Sequence, residues 1–245
     1  VTHRPFKVCI IPDTHFPFHH RKALEYVVTK VAQINPTHII QIGDLFDQYC
    51  FSKFVKQNIM LPERELSFAR QCAFQMWEYL VKSCPKSECY QILGNHDVRL
   101  IKRAEERLPE AQTLVRQSLM ELYKFPNVKT IEDPREELII KDICFMHGYR
   151  TKIGDHLRYN MQNTVHGHTH RGGLHFEPYN DKILWELDCG FLADQNRLPL
   201  SYTPQRKTKW TLGFGLIQEI DGMLRPQFIP LSDGGISDSD YFNKK

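Results

Sequence analysis

No run of apolar residues in this 245-residue chain approaches the roughly 18 needed to cross a bilayer, which excludes a membrane-spanning helix. Close CxxC pairs are also absent. The seven cysteines (Cys9, Cys50, Cys72, Cys84, Cys89, Cys144, Cys189) are odd in number, scattered, and set partly inside apolar strand-like runs. That argues against a disulfide framework or a thiolate zinc site, and for reduced core residues. Val1 to Pro5 show no signal-peptide pattern, so a cytoplasmic location is expected. No internal repeat or low-complexity block stands out. A strong excess of either charge is missing too. A net charge of +3 neither demands nor excludes a nucleic-acid partner. The chain carries no signal for an oligomeric state.

What is present is an ordinary globular composition, 41% hydrophobic and 25% charged, on a chain long enough to bury a core. Lys7 to Ile11 is a short apolar run, followed by helical spacing from Arg21 to Ile34 and a stop at Asn35-Pro36. Thr37 to Ile42 is β-rich, Pro62 to Lys82 helical, and Cys89 to Leu93 a third strand. Residues 99–126 form a charged amphipathic stretch with a break expected near Pro109, a candidate lid or side element. The second half is strand-rich. Segments begin at Val128, Leu138, Ile143, Leu174, Ile183, Trp210 and Leu224, and a short helix is expected within Thr151 to Met161. The first half is β-α-β-α-β and favours a parallel sheet; the second half is expected to add a second sheet. The expected fold class is α/β, two sheets flanked by helices, as one domain over residues 1–231 with a polar tail at 232–245.

Each distinctive polar cluster follows an apolar strand directly. Open α/β sheets place ligands beyond the carboxyl ends of their strands. Asp13-x-His15, Gly43-Asp44, Gly94-Asn95-His96-Asp97, His147-Gly148 and Gly167-His168-x-His170 would therefore meet at one rim. Carboxylate and carboxamide oxygens with imidazole nitrogens and no thiolate suit Mn²⁺, Fe or Zn²⁺. In extended backbone, the spacing of two in Asp13/His15 and His168/His170 puts both side chains on one side. Asp13, His15, Asp44, Asn95, His147, His168 and His170 are too many for one closed zinc site, and suit two adjacent ions with a shared carboxylate.

As a set, these motifs resemble the five signature blocks of the calcineurin-like metallophosphoesterases, over residues 13 to 170. The resemblance implies a four-layer α/β sandwich of two mixed β-sheets and a two-metal phosphoester hydrolase. It gives Asp13, His15 and His170 to one ion, Asn95, His147 and His168 to the other, and Asp44 to both. Mn²⁺ is the expected metal, with Fe or Zn²⁺ as alternatives. The resemblance puts His96 at the leaving group, oriented by Asp47, and makes Asp97 mainly structural. In such a site a water held between two ions becomes the nucleophile of an in-line displacement, and an imidazole can protonate the departing oxygen.

The chain departs from the phosphoprotein phosphatase branch at Phe16, where that branch has glycine. It departs again at Gln48-Tyr49, in place of arginine-glycine, and at Asp97, in place of glutamate. These departures fit the small bacterial and viral phosphoesterases and repair nucleases better. Asp188-Cys189-Gly190 stands where the family often has a small Asn/Gly strand end. A phosphate ester is the expected substrate, a phosphodiester of nucleotide or nucleic-acid type. The alternatives are a phosphomonoesterase and a non-catalytic scaffold on the same fold. His19, Arg99 and Arg150 are candidate substrate contacts, as are His20 and Arg171; the two histidines read more readily as solvated loop residues, and each arginine could equally be a surface residue. Arg206-Lys207-Thr208-Lys209-Trp210 mixes basic and aromatic residues, as single-strand binders do and as solvated loops also do.

Overall fold

A computed structural model describes residues 4–53, 60–197 and 209–232. The last residues of the tail, and Arg206, Lys207 and Thr208 of the basic stretch, lie outside them. Among the described residues no helix is long and apolar enough to cross a membrane.

The first half alternates strand and helix as its periodicity dictates. β1 (Lys7–Ile11), α1 (Arg21–Ile34), β2 (His38–Gln41), α2 (Pro62–Ser83) and β3 (Glu88–Ile92) follow one another. α1 is capped by His20, whose Nδ1 accepts the Ala23 amide, and ends at a left-handed Asn35 before Pro36. α2 begins on Pro62 with Glu63 and Glu65 in its first turn, where the helix dipole favours acids. Residues 99–126 divide at Pro109 as expected: α3 (Arg99–Arg107), a short 3₁₀ turn, then α4 (Gln112–Leu122).

β4 (Val128–Ile131), β5 (Leu138–Ile140) and β6 (Ile143–Phe145) come next. α5 (Asp155–Asn160) is shorter than the expected helix, because left-handed Gly154 and Met161 bound it. β7 (Asn163–His166), β8 (Gly173–Tyr179), β9 (Lys182–Asp188), β10 (Gly213–Ile220) and β11 (Met223–Pro230) complete the chain.

The strands form two mixed sheets, ordered β11-β10-β1-β2-β3-β4 and β5-β6-β7-β9-β8. β1 to β4 are parallel, while β10 runs antiparallel to β1 and β11 to β10. One expectation is corrected here. The second half does not all go to the second sheet: β4, β10 and β11 return to the first, where β10 covers the free edge of β1. The strand expected from Trp210 begins only at Gly213, since Trp210 to Leu212 pass beside the site in isolated pairings.

Alternation along β1 builds two cores. Val8 and Ile10 face the second sheet and join Ile40, Ile42, Phe145, Val165 and Leu187. Cys9 and Ile11 face the other way, onto Val27 and Val31 of α1 and Ala73, Trp77 and Leu80 of α2. On the outer face of the second sheet, α5 packs on Thr164 and Glu186 through Asn160 and Leu157. The layers are therefore helix, sheet, sheet, helix. All seven cysteines are unpaired thiols, six of them buried.

Candidate metal and phosphoester site

The loops after β1, β2, β3, β6 and β7 converge at one end of the two sheets. Pairing continues past the strand ends, with His15 N donating to Asp44 O at 2.9 Å and Gly167 N to His147 O at 3.0 Å. The backbone at the site is not extended. His15, Asp44, His168 and His170 all have positive φ, between 48° and 65°. Convergence of Asp13 with His15, and of His168 with His170, is thus made by left-handed turns rather than by strand alternation.

Two overlapping donor groups result, Asp13/His15/Asp44/His170 and Asp44/His147/His168. In the first, His170 Nε2 lies 3.0 Å from Asp13 Oδ2 and 3.3 Å from His15 Nε2. In the second, Asn95 Oδ1 lies 3.0 Å from His147 Nε2 and 2.9 Å from His168 Nδ1. Asp44 belongs to both, with Oδ2 3.8 Å from His15 Nε2 and Oδ1 3.4 Å from His147 Nε2.

The outer partners fix which nitrogen points inward. His15 Nδ1 is 2.9 Å from Asp47 Oδ2, and His147 Nδ1 is 3.1 Å from Ile42 O. Each ring then turns a lone pair on Nε2 toward the cluster, as metal-ligating histidines do. Asp13 Oδ1 is buried without a hydrogen-bond partner. Such an orphan carboxylate oxygen, among nitrogen and oxygen donors, fits a divalent cation. Two glycines make room. A Cβ at Gly94 would fall on the Asp44 carboxylate, and one at Gly167 on that of Asp13.

The charges interlock. Burial opposes ionisation of Asp44, but the imidazoles of His147, His96 and His15 outweigh it and hold its carboxyl well below the usual range. Burial likewise disfavours a charged His147, yet Asp44 and Asp13 lift it to about 9. Burial and the neighbouring His147 push His168 down to about 4. A cation bound here would displace the His147 proton and take over its role.

Behind this cluster, Asp47 is fully buried and touches three groups. His15 Nδ1 and His96 Nδ1 face its Oδ2 at 2.9 Å and 3.4 Å, while Arg99 Nη1 meets its Oδ1 at 3.2 Å. The imidazoles hold its carboxyl well below the ordinary range despite burial. Arg99 Nη2 also reaches His96 Nε2 at 2.8 Å. Asp97 accepts from the amides of Leu45, Phe46 and Gly94 and from the Tyr123 hydroxyl. It thereby ties the Asp44 loop to the Asn95 loop, and burial with the Asp44 charge raises it to about 7. Gln48 donates to Asp97 O and Tyr123 OH and accepts from Leu100 N, which fastens α3 against the site. Phe16 is fully buried, its ring 4.7 Å from that of His19. Asp188 accepts from the Thr169 hydroxyl and from Gly190 N, bracing the turn between His168 and His170.

The candidate substrate contacts are dispersed. Arg99 is at the cluster. Arg150 is held between the rings of Tyr149 and Tyr159, 5.1 Å and 4.8 Å away, beyond His147-Gly148. Arg171 donates to Thr151 O. His19 packs on Phe16, and burial with the Arg197 charge lowers it to about 4.

Sequence reasoning missed the supports of the second sheet. His156 Nε2 accepts the amides of Tyr149 and Arg150, just after His147. His166, two residues before His168, faces Glu186 at 3.4 Å. His156 lies in no strand-end motif; His166 ends β7 beside Gly167-His168, but nothing in the sequence separated its role from that of the ligand candidates. Trp210 was visible only as part of a basic stretch; its ring lies 4.9 Å from that of His170.

Two curated relatives are the Gene 54 protein of Mycobacterium phage L5 and that of Mycobacterium phage D29. They are 26% and 25% identical, each over 94% of this chain and 96% of the relative. Among solved structures, a Vps29 mutant of Entamoeba histolytica aligns with a TM-score of 0.43 at 14% identity, over 93% of this chain and all of that one. YfcE, a phosphoesterase from E. coli, also aligns at 0.43 and 14%, over 91% of this chain and 100% of its own. The calcineurin-like phosphoesterase model matches residues 6–188, a span that runs from β1 through β9 and takes in every strand-end cluster described above. The chain belongs to the calcineurin-like phosphoesterase family.

Proposed function

We propose that this protein is a two-metal phosphodiesterase acting on esters of nucleotide or nucleic-acid type. The observation that carries the two-metal reading is the position of Asp44, whose two oxygens face separate donor groups. Asp13, His15 and His170 would hold one cation with Asp44; Asn95, His147 and His168 would hold the second. Two such ions supply charge neutralisation at the phosphate and acidify the attacking water. Mn²⁺ is the expected occupant.

The protein's own groups take the remaining roles. His96 stands beside Asp44, its Nε2 3.8 Å from Oδ2, and would face the departing oxygen. Asp47 orients its ring. Arg99 brings the guanidinium to this edge. Gln48 carries no charge where the phosphoprotein phosphatase branch has arginine, and its amide is spent on Asp97, Tyr123 and Leu100. Among the described residues Arg99 is the guanidinium at the cluster, and its pairing with Asp47 leaves little positive charge for a doubly charged monoester, which favours a diester. The full ligand set, together with His96, supports catalysis over a scaffold role.

The test is a substrate panel on protein refilled with Mn²⁺: aryl diester, aryl monoester, nucleotides, single-stranded DNA and phosphopeptide. Hydrolysis of diesters is expected. Activity confined to monoesters would replace the diesterase reading with the phosphomonoesterase one, and no hydrolysis with any metal would favour the scaffold.

A further inference from the structure

We propose that the cavity beside His170 is a nucleobase subsite, with Trp210 as the surface on which the base stacks. The proposal rests on the phosphodiesterase reading and names the group on one side of the scissile ester.

Three rings run outward from the donor cluster. Phe191, fully buried, stacks on His170 at 5.2 Å and 19°. Trp210 meets the same imidazole edge-on at 4.9 Å and 75°, and meets Phe191 at 5.8 Å. His170 is thus gripped between the two, one ring away from Asp13. Trp210 is only partly buried, and it forms a wall of a cavity of about 600 Å³. That volume is in the range of small-molecule sites.

The other walls are mixed: His20, Lys22, Asp194, Gln195 and Asn196 stand beside an alanine and two leucines. Gln195 and Asn196 are exposed. An aromatic face combined with exposed amides is what a flat heterocycle with polar edges requires. The ring stacks, and carboxamides pair with its donors and acceptors. Two wall residues touch the donor cluster directly, Trp210 on the His170 ring and Thr211 N on His170 O at 2.8 Å. In the subsite reading, a phosphate at the cluster and a base on Trp210 belong to one molecule.

The experiment uses the full chain loaded with Mn²⁺ and two diesters with the same leaving group, thymidine 5′-(4-nitrophenyl) phosphate and methyl 4-nitrophenyl phosphate. The wild type is expected to prefer the thymidyl ester by about tenfold in kcat/KM, mostly through KM, the size of one stacked base. Trp210→Ala should abolish that preference, while Trp210→Phe, which keeps a ring against His170, should retain most of it. A purely structural role of Trp210 would instead slow both esters equally and leave the ratio unchanged; that result would overturn the subsite, as would a wild type with no preference. Failure of the wild type to cleave either ester would overturn the phosphodiesterase reading and the subsite with it.

Discussion

Arg99 and His96 meet head to head, guanidinium Nη2 2.8 Å from imidazole Nε2. Arginine can only donate, so Nε2 accepts in this pairing, and Nδ1 stands 3.4 Å from Asp47 Oδ2. An Nε2 engaged this way offers no proton to a departing alkoxide, so the Arg99 pairing has to be released for His96 to act as an acid. His96→Ala is expected to lower kcat by about 10²–10⁴ on an alkyl leaving group and far less on nitrophenyl, which leaves unaided. Arg99→Ala should also be slower, and the double variant little worse than His96→Ala alone, because the two act as a unit. Steady-state kinetics on the two leaving groups checks this; additive losses would separate the residues.

Asp44 is the carboxylate common to both donor groups. Asp44→Ala is expected to remove more than one equivalent of metal, whereas Asn95→Ala should remove about one. Elemental analysis after Mn²⁺ loading and desalting reads this directly. Two ions retained in Asp44→Ala would end its assignment as a bridge.

The close approach of Gly94 to Asp44 leaves no room for a methyl group. Gly94→Ala should therefore displace the carboxylate, costing about 1–3 kcal/mol of overpacking and weakening metal binding along with it. Denaturant unfolding and Mn²⁺ titration measure the two effects. Unchanged metal affinity would mean that the loops yield freely.

Glu186 gives a pH signature. Burial opposes its ionisation, but the His166 side chain and the amides of Gly154 and Leu157 outweigh it and lower the carboxyl to about 2. Its folded value lies below the unfolded value of about 4.3. The carboxylate's stabilisation is thus present above about pH 4.3 and lost as the pH falls toward 2. Glu186→Gln should destabilise by about 3 kcal/mol at pH 7 and much less at pH 2.5, by denaturant midpoint. An equal loss at both values would assign the effect to packing rather than charge.

The sequence announced the site more fully than the topology. Asp13, Asp44, Asn95, His147 and His168 each follow a strand, and strand ends gather by construction in a parallel sheet. β1, α1, β2 and α2 were legible because burial imposes periods of 2 and 3.6 on neighbours in the chain. The return of β10 to the edge of β1 was not, since that pairing joins residues some two hundred apart and leaves no local pattern. The left-handed turns at His15, His168 and His170 were hidden too, because those residues have no conformational signature of the kind glycine gives. His156, His166 and Glu186 act from the outer face of the second sheet, and a single sequence shows them only as polar residues near strands. Trp210 acquires meaning only once the fold carries it back against His170.

The most direct test of the two-metal phosphodiesterase compares bis-(4-nitrophenyl) phosphate with 4-nitrophenyl phosphate on one Mn²⁺-loaded preparation whose metal content is measured. The account predicts about two ions per chain and turnover of the diester well above that of the monoester. One ion or fewer in a fully active preparation, or hydrolysis of the monoester alone, would contradict it.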